Sequence, residues 1–297
     1  MKNNILIIFI CAFCVFFPAC NSLANALSLG AQSGELDENT ANAFNNASKA
    51  LSSAAEDINP EQEYYIGRAV AANILGSYTL YEGNPLLTAY VNKICNSIVI
   101  NSPKPDIYNG YYVMLLDSEE INAFATSGGH IFISRGLISS AKSEDALAGV
   151  IAHEIAHIQL QHSIKAIKTS RITQALLVTG TSAVGAASGL DVNELTDIFN
   201  ESVGQIVTTM VNNGYSQSQE FDADNTAMGL LAATGYNPSG LIDMLMELSK
   251  TQAAHSGGFN KTHPTPEKRI QSAQKALKKY KVNDTSAYRL PRFSEFG

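Results

Sequence analysis

The chain has 297 residues, 45% of them hydrophobic and 16% charged, which suits one sizeable globular core and argues against overall disorder. Removing the first 26 residues, whose one charged side chain is Lys2, takes the 20 basic and 27 acidic residues to 19 and 27, a balance of −8. An acidic balance of this kind argues against nucleic acid as a partner.

Lys2 is followed by thirteen uncharged apolar residues from Ile5 to Phe17, too few to span a bilayer and typical of an export signal. Two processing sites fit. Ala24-Asn25-Ala26 has the small-any-small pattern, which would remove residues 1–26. Cys20 after Ala19 resembles a lipobox, which would remove residues 1–19 and anchor the chain through a lipid on Cys20, although Phe17 and Pro18 depart from the usual residues there. Either way the expected location is the bacterial cell envelope: the periplasm, or the outer membrane as a lipoprotein. Of four cysteines, Cys95 remains after processing, joined by Cys20 if that residue is the lipidated one, so no disulfide framework and no cysteine-ligated zinc site is available.

Residues 27–59 read as a tether with a loosely amphipathic helix around Thr40 to Ala55. Residues 60–297 form the main domain. Its first helix carries an apolar stripe of Ile66, Ala69, Val70, Asn73 and Ile74, and Pro85 opens a second helix that runs through Ile98. After a turn at Pro103 and Pro105, Tyr111 to Leu116 reads as a strand buried on both sides. Ile121 to Thr126 forms a further extended stretch, turned by Ser127-Gly128-Gly129 into a strand at Ile131 to Ser134.

Ser143, Glu144 and Asp145 cap the next helix, with a serine oxygen and an acidic first turn. Along Ala148 to Ile158 it is apolar on nearly every side, yet it carries His153, Glu154 and His157. Histidines four apart project from one helix face, so both imidazoles can reach one Zn²⁺, and a glutamate beside the first can take a proton from zinc-bound water. Buried imidazoles and a buried carboxylate are costly unless paired or metal-bound.

Residues 163–215 form an insertion. Ile172 to Leu190 is poor in charge, but its Thr, Ser and Gly steps favour a small-residue helical hairpin over a membrane span. Ser216 then opens a helix on which Glu220 and Asp224 stack one turn apart. A zinc peptidase needs three protein ligands and one open position. From the residues alone, Glu220, Asp222 and Asp224 compete for the third place.

Five motifs in order resemble peptidase family M48, zinc endopeptidases that include the HtpX heat-shock protease and the CAAX prenyl endopeptidase. They are Glu63 to Gly67; Asn122 to Ala125 with Gly128-Gly129 and Arg135 to Leu137; the His153-Glu154-His157 helix; Glu220 to Asp224; and Thr262-His263-Pro264 followed by Arg269-Ile270. The resemblance covers roughly residues 60–275. Asp222, Gln217 and His130 depart from the family's habit. Within the family, the chain looks like the exported envelope quality-control branch without a tetratricopeptide-repeat domain, and without the four membrane helices of the heat-shock branch.

The resemblance implies a mainly helical α+β fold, a gluzincin-type zinc peptidase domain with a small β-sheet packed on the zinc helix. It implies one Zn²⁺ per chain on His153, His157 and Glu220, with Asp224 hydrogen-bonded to His153. Glu154 would be the catalytic base. His263 would approach from a loop, either to stabilise the oxyanion or to occupy the open zinc position and hold the enzyme latent. Asn122, Ala123, Phe124 and Ala125 would form the edge strand that binds extended substrate, and Arg269 would make a structural salt bridge beneath the site.

The expected partners are unfolded or misfolded polypeptides and outer-membrane assembly proteins, with membrane contact only through the lipid anchor. A chaperone with a peptidase site shut by His263 is the alternative. A purely structural zinc protein fits less well, because such a site needs no base. The remaining histidines carry no expected role: His130 starts a strand, His162 lies five past His157 and off its face, and His255 sits in a Ser/Gly-rich loop.

Overall fold

A computed structural model describes residues 58–165, 203–204, 206–208, 213–252, 262–263, 266–280 and 286–296. All belong to one compact unit formed by 58–167 and 196–297. The leader, the tether with its helix, most of the 163–215 insertion and His255 lie outside the described residues.

The first helix, α1 (Pro60–Leu75), starts on a capping box. Asn59 accepts from the Gln62 backbone, Gln62 answers to the Asn59 backbone, and Pro60 occupies the first turn, where no N–H is needed. Its buried face is Ile66, Gly67, Val70, Ala71 and Ile74, so the predicted stripe is displaced. Asn73 faces outward and donates to the Ala69 carbonyl. Close approach to the sheet sets this face: a Cβ on Gly67 would lie 1.3 Å from the Ser127 carbonyl oxygen, and Ser127 Oγ donates to the Glu63 carbonyl at 3.1 Å. The Glu63 to Gly67 motif is therefore a docking surface for the β-turn. The second helix, α2 (Pro85–Ile100), is capped by Asn84, which accepts from Leu87 N at 3.1 Å.

Three strands follow: β1 (Tyr112–Leu116), β2 (Ala123–Ala125) and β3 (His130–Ser134). Their order is β1-β3-β2, with β1 parallel and β2 antiparallel to β3. The glycine turn joins β2 to β3, with Gly128 at φ +85 and Gly129 at φ +93, angles that L side chains rarely adopt. The sheet separates two apolar clusters. Val113, Leu115, Ala123, Ala125, Ile131 and Ile133 face the larger one, built on α2 and the zinc helix. Leu116, Phe124 and Phe132 face the smaller one with Ile66, Val70 and Ile74. The expectation that β1 is buried on both sides holds only at its end: Tyr112 is 53% exposed and Met114 half-buried.

After the short α3 (Arg135–Ser140) comes α4 (Glu144–Gln159), buried along all 16 residues. Around it pack α5 (Gln217–Thr234) and α6 (Ser239–Gln252); α7 (Pro266–Leu277) packs on both of these, and α8 (Ser286–Phe293) meets α4. Ser143 caps α4 as expected, accepting from Ala146 N at 3.1 Å. Its acidic first turn does more than complement the helix dipole. Glu144 accepts from Tyr90 Oη at 2.7 Å, Tyr236 Oη at 2.8 Å and the Arg292 guanidinium, while Asp145 takes Arg289 Nη2 at 2.8 and 3.0 Å. These pairs clasp α8 onto the start of α4. Among the described residues no helix is long and apolar enough to cross a membrane.

The Gly67 contact gives a direct stability prediction. Gly67→Ala forces a methyl into the Ser127 backbone and should cost about 2–3 kcal/mol in urea unfolding. Gly204→Ala, where a Cβ meets nothing within 4 Å, should change stability by about 1 kcal/mol or less, in the stabilising direction.

Candidate metal centre

Helix α4 projects His153 and His157 from one face, α5 brings Glu220 and Asp224, the Thr262-His263 segment enters between α6 and α7, and α7 supplies Arg269. Every one of these side chains is at most 2% exposed. The ligand atoms of His153, His157, Glu220 and His263 all lie within 4.8 Å of one another.

The spacing tests whether zinc fits. His153 Nε2 to His157 Nε2 is 3.0 Å, His153 Nε2 to His263 Nδ1 is 3.3 Å, His263 Nδ1 to Glu220 Oε1 is 3.1 Å, and His157 Nε2 to Glu220 Oε1 is 3.5 Å. Zinc bonds of about 2.0–2.1 Å to nitrogen and oxygen place tetrahedral corners about 3.3–3.4 Å apart. Four of the donor separations are therefore close to those between ligands of one zinc ion, and all four donors lie within 4.8 Å of one another, with His263 Nδ1 as the fourth.

Ligand imidazoles need a partner on the far nitrogen to fix tautomer and ring orientation. Asp224 Oδ1 serves His153 Nδ1 at 3.0 Å, where the resemblance placed it. His162 serves His157, with the two Nδ1 atoms 2.8 Å apart. Reading His162 as off the face overlooked the end of the helix. Leu160 caps α4 and Gln161 takes φ +55, so the chain turns and brings His162 back onto His157. The one signal available was a histidine just past the helix end.

Arg269 is fully buried. It donates to Asp224 Oδ2 at 2.8 Å and Oδ1 at 2.7 Å, and pairs with Glu220 Oε2 at 2.8 Å, which is the expected salt bridge. Burial pushes the Asp224 carboxyl up, but Arg269 and the His153 hydrogen bond more than offset it and hold it at about 2. The Glu220 carboxyl is also held well below the carboxylate range, because Arg269 and His263 outweigh its burial. Burial and Arg269 press the His153 imidazole down, yet Asp224 and Glu220 bring it up to about 9. The His157 ring, desolvated and next to His153, lies well below its ordinary value.

Glu154 lies beside this set. Burial raises its carboxyl above the ordinary value. Its Oε1 makes no hydrogen bond and faces His263 Nε2 at 3.5 Å. Tyr215, which sequence reasoning missed, stacks on the His157 ring with centroids 4.2 Å apart and planes at 20°.

The strand expected to bind substrate lies at the sheet edge, but it is not open. Asn122, Ala123, Phe124 and Ala125 are at most 4% exposed. Thr262 Oγ1 donates to Asn122 Oδ1 at 3.3 Å, and its carbonyl accepts from Tyr215 N at 3.1 Å. The segment that carries His263 thus ties the strand to the start of α5. His130, at the start of β3, stacks on Tyr64 and bonds the Thr126 hydroxyl through Nδ1 at 3.2 Å, a structural role as expected.

Two histidines on one buried helix, joined by a glutamate from a second, could hold a metal ion, with the buried Glu154 carboxylate next to the first histidine in the chain. The family model "Peptidase family M48" matches residues 85–277, and the chain belongs to this family. It is 28% identical over 232 residues to the beta-barrel assembly-enhancing protease of Escherichia coli (strain K12), covering 75% of this chain and 45% of that protein. Metalloprotease LoiP of the same strain is 29% identical over 185 residues, covering 62% of this chain and 67% of LoiP. The mitochondrial metalloendopeptidase OMA1 of Schizosaccharomyces pombe is 26% identical over 201 residues, covering 66% and 54%. The chain spans about half the length of the beta-barrel assembly-enhancing proteases it matches, 48% and 45% for those of Yersinia pestis and Escherichia coli.

Two outcomes test this geometry. With the metal-free His153 ring at about 9, zinc binding at pH 7 must displace its proton. Calorimetry in buffers of different ionisation enthalpy should show about one proton released per zinc, with affinity falling as pH drops below about 9. His162→Ala removes the partner of His157 Nδ1 and should weaken zinc binding about 10–100-fold in chelator competition.

Proposed function

We propose that the chain is a zinc-dependent endopeptidase of the bacterial cell envelope that hydrolyses misfolded or misassembled envelope proteins. The observation that carries this reading is Glu154. Its buried Oε1 makes no hydrogen bond beside His153, His157 and Glu220, and a structural metal site has no use for such a base. The names of the relatives support the setting, since two are beta-barrel assembly-enhancing proteases. Exported leaders of the kind read at Lys2 to Ala26 lead to the same compartment. The periplasm, with lipidation of Cys20 as the route to the outer membrane, is the location this reading takes.

His153, His157 and Glu220 would hold the zinc, whose chemistry when bound is to make water nucleophilic near neutral pH and to polarise the scissile carbonyl. Glu154 takes the water proton at its carboxylate and returns it to the leaving amine. Burial keeps its carboxyl above the ordinary value, closer to the poise that a group acting first as base and then as acid needs. Asp224 and His162 hold the two imidazoles in orientation, and Arg269 holds Asp224 and Glu220. The edge strand Asn122 to Ala125 pairs with extended substrate backbone, with little sequence selectivity.

A second reading has its own support. His263 Nδ1 stands at the fourth corner of the donor set, within 3.1–3.3 Å of Glu220 Oε1 and His153 Nε2, and its segment bridges to Asn122. This favours latency over oxyanion stabilisation as the resting role of His263. The alternative of a chaperone or assembly factor for outer-membrane proteins is the same protein with this gate rarely open.

Cleavage of casein by the zinc-loaded mature protein tests both readings. Wild type should cleave slowly and His263→Ala several-fold faster. Glu154→Gln should keep its zinc and lose about 10²–10⁴-fold in kcat. Retained zinc with no cleavage by either wild type or His263→Ala would remove the peptidase reading.

A further inference from the structure

Tyr215 carries a buried hydroxyl with no part in the scheme above. Both its ring and its backbone are held in place. One face lies on His157 with centroids 4.2 Å apart, and its backbone N–H donates to the Thr262 carbonyl at 3.1 Å. The His263 ring is 6.1 Å away, and the residue is 5% exposed. A phenylalanine would stack equally well, yet this position carries a phenol whose oxygen makes no hydrogen bond. A buried hydroxyl left in that condition is costly and calls for a reason.

The stacking on His157 places this phenol beside the donor set. Burial raises the phenol far above its ordinary value, and the charges of Glu154 and then Glu220 raise it further. The phenol is therefore neutral and keeps its proton. Glu154 Oε1 is itself buried without a hydrogen bond. An acceptor and a donor, neither of which makes a hydrogen bond, thus belong to residues of the same cluster, Glu154 next to His153 in the chain and Tyr215 stacked on His157.

We propose that Tyr215 donates its O–H to the oxygen of the scissile carbonyl as that carbon becomes tetrahedral. The inference rests on the zinc-peptidase reading. No proton is transferred in this step: the hydrogen bond strengthens as negative charge gathers on the oxygen while Glu154 carries the water proton. A donor aimed at charge that develops only in the transition state raises kcat and leaves ground-state binding nearly unchanged. The assignment also separates two roles. His263 then holds the resting site closed, and in the opened enzyme the oxyanion donor is Tyr215.

The test compares wild type with Tyr215→Phe, which keeps the ring on His157. Both are loaded with zinc and measured with casein and with a phosphinic peptide, whose tetrahedral phosphorus oxygens imitate the intermediate. Tyr215→Phe should bind zinc within about twofold of wild type. It should lose about 10²-fold in kcat with little change in KM, and lose affinity for the phosphinic peptide by a similar factor. Unchanged phosphinic-peptide affinity overturns the inference, as does a loss of zinc affinity in step with activity. If the wild type neither cleaves casein nor binds the phosphinic peptide, the peptidase reading falls and this inference falls with it.

Discussion

A guanidinium with no exposure to solvent organises this protein. Arg269 on α7 reaches two carboxylates on α5, and one of these, Asp224, holds His153 on α4. Burying a charge is tolerated only where it is paired and hydrogen-bonded, so three helices must meet in one geometry or none. Arg269 also sets the charge balance of the core. Glu154, Glu220 and Asp224 supply three negative charges when ionised, against one from Arg269, which leaves room for two positive charges, those of a divalent cation. When no cation is bound, protons take up part of this role: the His153 ring is raised to about 9 and the Glu154 carboxyl is raised as well.

The closed state follows from how the Thr262-His263 segment is placed. His263 joins the donor set, while Thr262 joins Asn122 on the edge strand to Tyr215 at the start of α5. Donor corner and strand are therefore covered by two adjacent residues. In the proposed enzyme, a movement that lifts His263 would also release the Asn122 contact, so opening a metal position and opening the strand would be one event.

Much of this was legible in the sequence, for local reasons. Spacing of four on an apolar helix identified His153 and His157, turn chemistry identified Gly128-Gly129, and a serine with an acidic turn identified the start of α4. The choice of Glu220 over Asp222 and Asp224 needed the family resemblance, because all three share the same few turns of one helix. What stayed hidden depends on chain reversal or on long separation. His162 reaches His157 only because Gln161 adopts φ +55. Arg289 and Arg292 meet Asp145 and Glu144 from 144 and 148 residues away. Tyr215 has no periodic signature, and the buried face of α1 follows from the approach of Ser127, which no helical stripe encodes.

The central claim is that His153, His157, Glu220 and His263 together surround one zinc ion. X-ray absorption at the zinc edge tests it most directly, on the zinc-loaded wild type and on His263→Ala. The account predicts about one zinc per chain, bound by nitrogen and oxygen only at about 2.0–2.1 Å, with three imidazoles in the wild type and two in His263→Ala. Failure to take up zinc, or the same imidazole count in both proteins, would contradict it.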